Sequence, residues 1–368
     1  MGVTLTKNQS DAENYAQLIE ETNVAYILEQ EHREILEEKV FYSSNVMMKP
    51  ENWSKNKYFN TFCFDHNRVI LPTEDGESDF INASHVDGYN IKGRFLCCQA
   101  PLQKTAQDFW EIVFTFQARV IVMLTKTVEK EREACYPYWS PRKRTKVHHG
   151  KFIIKTRKIK TFRDHVVTSL RITDDTRASL SVKHFAYTDW PSNSLPQNPS
   201  KFLDFVLSVR KAQLMAEFDC KDGNVPPMVV HCSAGLNRTG AFCALDICLS
   251  QYNERATIAL APIVRNLRKQ RCGCLSLSKY YVFCYLTVLL YAKLVADKIE
   301  VPTALTRGPG AGAGNNHAAG AAPAAPAAPG TLRRAAASPP RELTTGLVQP
   351  AIRIEQSSAF MPHHAPRA

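Results

Sequence analysis

A short apolar run, Val229-Val230, leads directly into His231-Cys232-Ser233-Ala234-Gly235-Leu236-Asn237-Arg238-Thr239-Gly240, and this junction constrains the fold more than any other segment. Downstream, Ala241, Ala244, Leu245, Cys248, Leu249 and Tyr252 fall on one face of a helix. A strand, a turn containing Gly235 and a helix N-terminus make an anion cradle, because successive backbone N–H groups point inward and the helix dipole favours negative charge. Cys232 stands at the mouth of that cradle, where the same field lowers a thiol's pKa and yields a thiolate nucleophile. Arg238, with five residues between, returns a planar guanidinium that can hold two phosphate oxygens at once. A buried structural cysteine beside a helix would explain a lone Cys. It does not explain His231, Gly235 and Arg238 at these offsets.

The rest of the body supplies a frame for such a junction. Strand-like runs at residues 119–124 and 228–230 alternate with helical stretches at 199–214 and 240–252, which predicts an α/β domain with some parallel strands. Ser10-Asp11 followed by Ala-Glu-Asn-Tyr reads as a capped helix, and Tyr26-Ile27 with Ile35-Leu36 continue helical spacing. Hydrophobic residues make up 44% of the 368 and aromatics 10%, enough for a sizeable core in one large domain or two ordinary ones. Collagenous and coiled-coil classes are excluded, since Gly numbers only 16 and no heptad pattern persists. The Cys count is 11, odd and irregularly spaced, which suits neither a zinc site nor a disulfide framework and points to a reduced, intracellular protein without a metal.

Composition shifts near Val301. Residues 301–368 hold 18 Ala, 10 Pro and 7 Gly, with Phe360 the one aromatic. Such a segment buries too little apolar surface to offset its chain entropy, so the expectation is a domain over 1–300 and a disordered tail over 301–368. The tail carries +4 of the net +11. Within the body, residues 142–160 contain nine Lys and Arg and no acid, and alternation around Phe152 and Ile154 suggests a hairpin whose outer face carries the charge. A solvated face is one reading; a site for phospholipid headgroups or nuclear import factors is the other. Nucleic acid is disfavoured, because no stacking aromatics are interleaved there. The stretch 285–296, interrupted by Lys293, is too short to span a bilayer, and no signal peptide pattern opens the chain. Met1-Gly2-Val3-Thr4-Leu5-Thr6 fits an N-myristoylation pattern, with a frayed N-terminus as the alternative. An acyl chain on Gly2 together with residues 142–160 would direct a cytoplasmic protein to an anionic membrane surface.

The segment 231–239 resembles the signature of the cysteine-dependent protein tyrosine phosphatases, His-Cys-x-x-Gly-x-x-Arg-Ser/Thr, and the resemblance extends over residues 55–285. Lys55-Asn56-Lys57-Tyr58 is similar to the family's phosphotyrosine loop, whose Tyr packs on the substrate ring and sets a depth only phosphotyrosine reaches. Asp65-His66-Asn67-Arg68-Val69, Asp79-Phe80-Ile81-Asn82-Ala83-Ser84, Gln99-Ala100-Pro101-Leu102 and Phe109-Trp110 are similar to family core motifs. The resemblance implies a highly twisted mixed β-sheet flanked by helices, phosphotyrosine-containing proteins as substrates, a cysteinyl-phosphate intermediate, and neither metal nor cofactor. It implies Cys232 as nucleophile and Arg238 as clamp. Ser233, Ala234, Gly235, Leu236, Asn237 and Tyr58 would bind substrate; His231, Thr239 and Glu129 would support, Glu129 falling where the family pairs an acid with the loop Arg. Oligomeric state stays open.

The chain also departs from the pattern. The family's mobile loop carries Trp-Pro-Asp, whose Asp protonates the leaving tyrosyl oxygen; here Tyr187-Thr188-Asp189-Trp190-Pro191-Ser192 places Ser192 there. Two water-positioning Gln are replaced by Ser276 and Tyr280, Asn60 replaces an Asp that receives substrate backbone, Ala134 replaces a Lys near the pocket, and Asn237 replaces the loop's second Gly. These departures are similar to phosphatases carried by bracoviruses of parasitoid wasps. Two function classes follow. One is an impaired phosphatase, with Asp189 as a possible substitute acid; the other is a phosphatase-like module that binds phosphotyrosine and shields it. Dual-specificity hydrolysis ranks behind both, because Tyr58 implies a deep pocket.

Overall fold

The computed structural model describes residues 24–73, 77–220 and 224–297. The acylation pattern at Gly2, the capped helix after Ser10 and the segment 301–368 lie outside the described residues. Helix α1 (Val24–Glu37) leads to strands β1 (Arg68–Ile70), β2 (Phe80–Val86) and β3 (Phe95–Cys98), then α2 (Ala106–Thr115) and β4 (Val120–Met123). Next come β5 (Lys146–His149), β6 (Phe152–Thr161), β7 (His165–Thr173) and β8 (Ser179–Tyr187). Helix α3 (Pro199–Phe218), β9 (Met228–His231), α4 (Asn237–Arg255), α5 (Leu260–Gln270) and α6 (Ser278–Ala296) complete the described chain.

These strands form one nine-stranded mixed sheet in the order β1-β2-β3-β9-β4-β8-β7-β6-β5, and a separate two-stranded antiparallel ribbon pairs Val128–Glu129 with Arg132–Glu133. Strand β9 runs parallel to both β3 and β4, and β8 runs parallel to β4; the remaining pairs are antiparallel. Helices cover both faces of the central strands, which is why those strands read as unbroken apolar runs. In β4, Val120 and Val122 enter the core built with α3, α4, α5 and α6, while Ile121 and Met123 enter the core built with α2. The fold is the α/β mixed sheet flanked by helices that the resemblance implied.

The expected hairpin over 142–160 is present as β5 and β6, joined at Gly150 with φ +55°, and Phe152 and Ile154 are buried. Two expectations need correction. Helix α4 does not present one apolar face, because every residue from Arg238 to Leu249 is buried. It is the central helix, packed against α3, α5 and α6, so its covering is all-round. The apolar stretch near the C-terminal end of the body belongs to α6, a 19-residue helix long and apolar enough to cross a membrane by length and composition. Tyr281, Cys284, Val288 and Tyr291 of α6 are instead buried in the helix-side core, against α1 and α4. In α1 the buried side chains are Leu28, His32 and Ile35, while Tyr26 and Ile27 face outward.

Candidate active site

Parallel pairing brings the C-terminal ends of β4, β8 and β9 to one edge of the sheet, the usual place for a site in an open α/β fold. Beyond β9 lies Cys232; beyond β4 lies Glu129; beyond β8 lies Trp190. The Leu124 N–H donates to the His231 carbonyl at 2.9 Å, so the β4 and β9 exits leave the sheet together.

The loop from Cys232 to Leu236 turns at Gly235, φ +69°, and enters α4 at Asn237. A Cβ at Gly235 would lie 2.1 Å from the Cys98 carbonyl oxygen, so this position requires glycine both sterically and conformationally. The Gly235 N–H donates to Cys232 Sγ at 3.2 Å. Arg271, fully buried, donates from Nε to the Gly235 carbonyl at 3.3 Å and from Nη2 to Asn82 Oδ1 at 2.7 Å, tying the loop to β2. Arg238 makes a two-pronged pair with Glu129, Nη1 to Oε1 at 2.6 Å and Nη2 to Oε2 at 3.0 Å. The same carboxylate accepts the Thr125 hydroxyl at 2.9 Å, which fixes its own orientation.

Burial alone would push the Cys232 thiol up, but Arg238 and hydrogen bonds from Thr239 and Leu236 outweigh it and hold the pKa below the ordinary thiol value. The buried Thr239 hydroxyl has no other partner among the described residues, which leaves it to the sulfur. His231 does not contribute a charge. Burial drops its pKa to about 3, and its ring accepts or donates at Tyr138 Oη, 2.7 Å away, in a chain that continues to His184 at 2.7 Å. Glu129 is likewise held below the usual carboxylate range: burial opposes ionisation, and the Arg238 hydrogen bonds prevail.

Tyr58 stands at the rim, partly exposed, with Oη 2.9 Å from Ser233 Oγ. Asn60, two residues on, is exposed. Trp190 is buried against Phe202, Tyr280 and Phe283, and its Nε1 donates to the Ser194 carbonyl at 2.8 Å. Ser192 is half-buried in the turn that this anchor frames. No hydrogen bond or ion pair joins Asp189 to the phosphate loop among the described residues; its charge acts on the buried Tyr187 hydroxyl, whose pKa is raised chiefly by burial. Ser276 donates to Asn237 Oδ1 from its N–H at 2.7 Å and its hydroxyl at 3.1 Å. Tyr280 is buried beside Arg238 and Cys232, and burial raises its phenol.

The geometry adds residues to which the sequence assigned no role. Lys57 reaches across to the carbonyls of Glu133, at 3.1 Å, and Ala134, so an ammonium stands beside the place where Ala134 departs from the family pattern. Burial lowers its pKa, opposed by Cys135, Glu133, Glu129 and Cys232. Gln99 holds that segment from both sides, accepting the Lys57 N–H at 2.9 Å and donating to the Lys55 carbonyl at 2.7 Å. Among the described residues no group of three or more His, Cys, Asp or Glu is placed to hold a metal ion.

The family model described as Protein-tyrosine phosphatase matches residues 52–290. The chain belongs to that family. It is 47% identical over 295 residues to tyrosine phosphatase-like protein J1 of Microplitis demolitor bracovirus (isolate Webb), covering 79% of this chain and 98% of the relative. Tyrosine phosphatase H2 of the same virus is 40% identical over 296 residues, 78% of this chain and 91% of its own. Tyrosine-protein phosphatase non-receptor type 9 of Homo sapiens is 34% identical over 275 residues, 72% of this chain and 46% of its own. The similarity therefore spans non-receptor and bracovirus members of the tyrosine phosphatases.

Proposed function

We propose that the protein removes phosphate from phosphotyrosyl proteins through Cys232, and does so slowly. The observation that carries this reading is the focus on one sulfur: Cys232 Sγ receives the Gly235 N–H while Arg238, pinned by Glu129, faces the same space. In the first step the Cys232 thiolate attacks phosphorus and the bond to the tyrosyl oxygen breaks. Arg238 and the loop N–H groups hold the equatorial oxygens, where charge accumulates. Without an acid at 192, the tyrosyl oxygen leaves as phenolate or takes its proton from water. In the second step water attacks phosphorus, the P–S bond breaks, and the thiolate departs with inorganic phosphate released.

The second reading, capture and shielding of phosphotyrosine on signalling proteins, draws on Ser276 and Tyr280. Ser276 is engaged with Asn237 and Tyr280 is packed under Trp190, so neither group is free to direct water in the second step. Rapid mixing of the full chain with a phosphotyrosyl peptide, an acid quench, and mass measurement of Cys232-phosphate separate the two. A burst of dephosphorylated peptide followed by slow phosphate release supports the weak enzyme; bound peptide that stays phosphorylated supports capture. Absence of both burst and binding refutes the assignment. Cys232→Ser is expected to keep peptide binding and Arg238→Ala to lose it, since a buried dianion would stand unpaired.

A further inference from the structure

The basic strand β6 continues into a feature that the phosphate loop does not use. A bulge between Thr156 and Lys158 shifts its register against β7: Lys155 opposes Arg171, yet Lys158 opposes Ser169 and Lys160 opposes Val167. Simple alternation would turn Lys155, Arg157 and Ile159 to one face. The bulge instead turns Lys155, Lys158 and Lys160 together to the face shared with α3. Across the sheet, Ser169 opposes Lys183 and Val167 opposes Phe185, so two cross-strand rows present Lys158 with Lys183, and Lys160 with Phe185.

Helix α3 covers β4 and β8 and stops short of β6, leaving a groove of about 480 Å³ between its flank and that face. Four lysines line the groove, Lys158, Lys160, Lys183 and Lys211, and no acid lines it among the described residues. None of the four takes part in an ion pair among the described residues. The accessible apolar lining comes from half-buried Val167 and from Met215 of α3, 54% exposed, over the buried Phe185. Lys183 opposes Val120 at the start of β4, the end of the strand away from the phosphate loop.

We infer that this groove docks an extended segment of a partner protein in which acidic residues alternate with apolar ones. Four unpaired cations call for an anion. The apolar part of the lining decides its kind: a compact polyphosphate would leave the exposed Met215 and half-buried Val167 in contact with nothing that repays their dehydration, whereas an extended peptide sends successive side chains to opposite sides, acids to the lysine rim and apolar groups to Val167 and Met215. A bilayer surface is flat, and the groove lies below the wall formed by α3. The site is independent of turnover at Cys232, so it stands or falls separately from the phosphatase reading.

The test measures anisotropy of a labelled, unphosphorylated peptide of alternating Glu and Leu against the full chain. Binding is expected, weakening as salt rises, and falling on the order of tenfold or more in Lys158→Glu/Lys183→Glu and in Met215→Asp. Alternating Glu and Ser, inositol hexakisphosphate, and phosphatidylcholine vesicles containing phosphatidylserine are expected to bind more weakly. All substituted side chains are solvent-accessible, and an unchanged alkylation profile at Cys232 reports an intact fold. Failure of the Glu–Leu peptide to bind, equal binding by the variants, equal binding of the Glu–Ser peptide, or stronger lysine-dependent binding of the polyphosphate or the vesicles each overturns the inference. Arg238→Ala leaves this binding unchanged if the groove and the phosphate loop are separate sites.

Discussion

Ser192→Asp tests whether the leaving-group proton is what limits the first chemical step. The frame that would present the introduced carboxyl is already built. Trp190 is buried, its Nε1 is bound to the Ser194 carbonyl at 2.8 Å, and Lys279 holds the Asn193 carbonyl from α6. A positioned general acid contributes about 10²- to 10⁴-fold, which corresponds to about 3–5 kcal/mol of barrier. The gain belongs to release of tyrosyl peptide in a single turnover, where the phenolate is a poor leaving group. A nitrophenyl phosphate, whose acidic phenol departs unprotonated, is expected to gain little. Under the proposed function, steady-state turnover is expected to rise less than the burst, because Ser276 and Tyr280, which on that reading cannot direct water in the second step, are unchanged. If a folded Ser192→Asp protein releases peptide no faster than the parent in single turnover, the missing acid is not the obstacle, and the account of this loop is wrong.

Alkylation of Cys232 against pH is expected to give a midpoint below the ordinary thiol value of about 8.5, and Arg238→Ala should raise it by removing the main favourable charge. Gly235→Ala places a Cβ against the Cys98 carbonyl and holds a non-glycine residue at φ +69°; the conformation alone costs about 1–2 kcal/mol, so a lower melting temperature and lost phosphopeptide binding are expected together. Glu129 has a depressed pKa, so its contribution to stability is present above the ordinary carboxylate pKa and lost as pH falls through its folded value. Glu129→Gln is therefore expected to flatten the acid side of the melting-temperature profile, and at neutral pH to cost about 3–5 kcal/mol, because Arg238 would be left buried without its partner.

The geometry of the loop from Cys232 to Arg238 was legible because its parts are contiguous: strand, Cys232, Gly235 and Arg238 follow one another, and the Gly235 N–H bond to Cys232 Sγ closes the turn within the segment. The central strands were legible for a related reason, since burial on both faces leaves an apolar run that no loop would carry. Helix α4 was misjudged because periodicity reports one contact face, and a helix covered on all sides has none. The contacts of Lys57 and Arg271 were not legible, although Lys57 falls in the segment similar to the phosphotyrosine loop. Their partners, Ala134 and Asn82, lie 77 and 189 positions away, and the sequence around a cation carries no sign of what the fold will set against it. The same holds for the lysine groove. The acid-free run announced charge, but the bulge at Arg157 and the arrival of Lys183 and Lys211 from other elements decide which way that charge faces.

Two of the departures from the family pattern touch each other, and this changes how their loss should be weighed. Asn237, where the family has glycine, accepts both the N–H and the hydroxyl of Ser276, where the family has a water-positioning Gln. Ser276→Gln alone would remove the hydroxyl donor and seat a longer side chain against an occupied carboxamide. Asn237→Gly alone would leave the Ser276 N–H without that acceptor. Each single change therefore breaks a contact that the other residue needs, and their effects on the second chemical step should not add. Tyr280 is tied in differently: it is buried and its ring lies 5.6 Å from that of Trp190, so exchanging it for Gln would open a void under the residue that anchors the Ser192 loop. Ser276 and Tyr280, at the places where the resemblance puts water-positioning Gln, are thus both engaged in structural contacts. Recovery of the hydrolytic step is expected from Asn237→Gly combined with Ser276→Gln, read as the decay rate of Cys232-phosphate after the burst. If the two single variants speed that decay independently and their effects multiply, the contact between them is incidental, and the coupling argued from it fails.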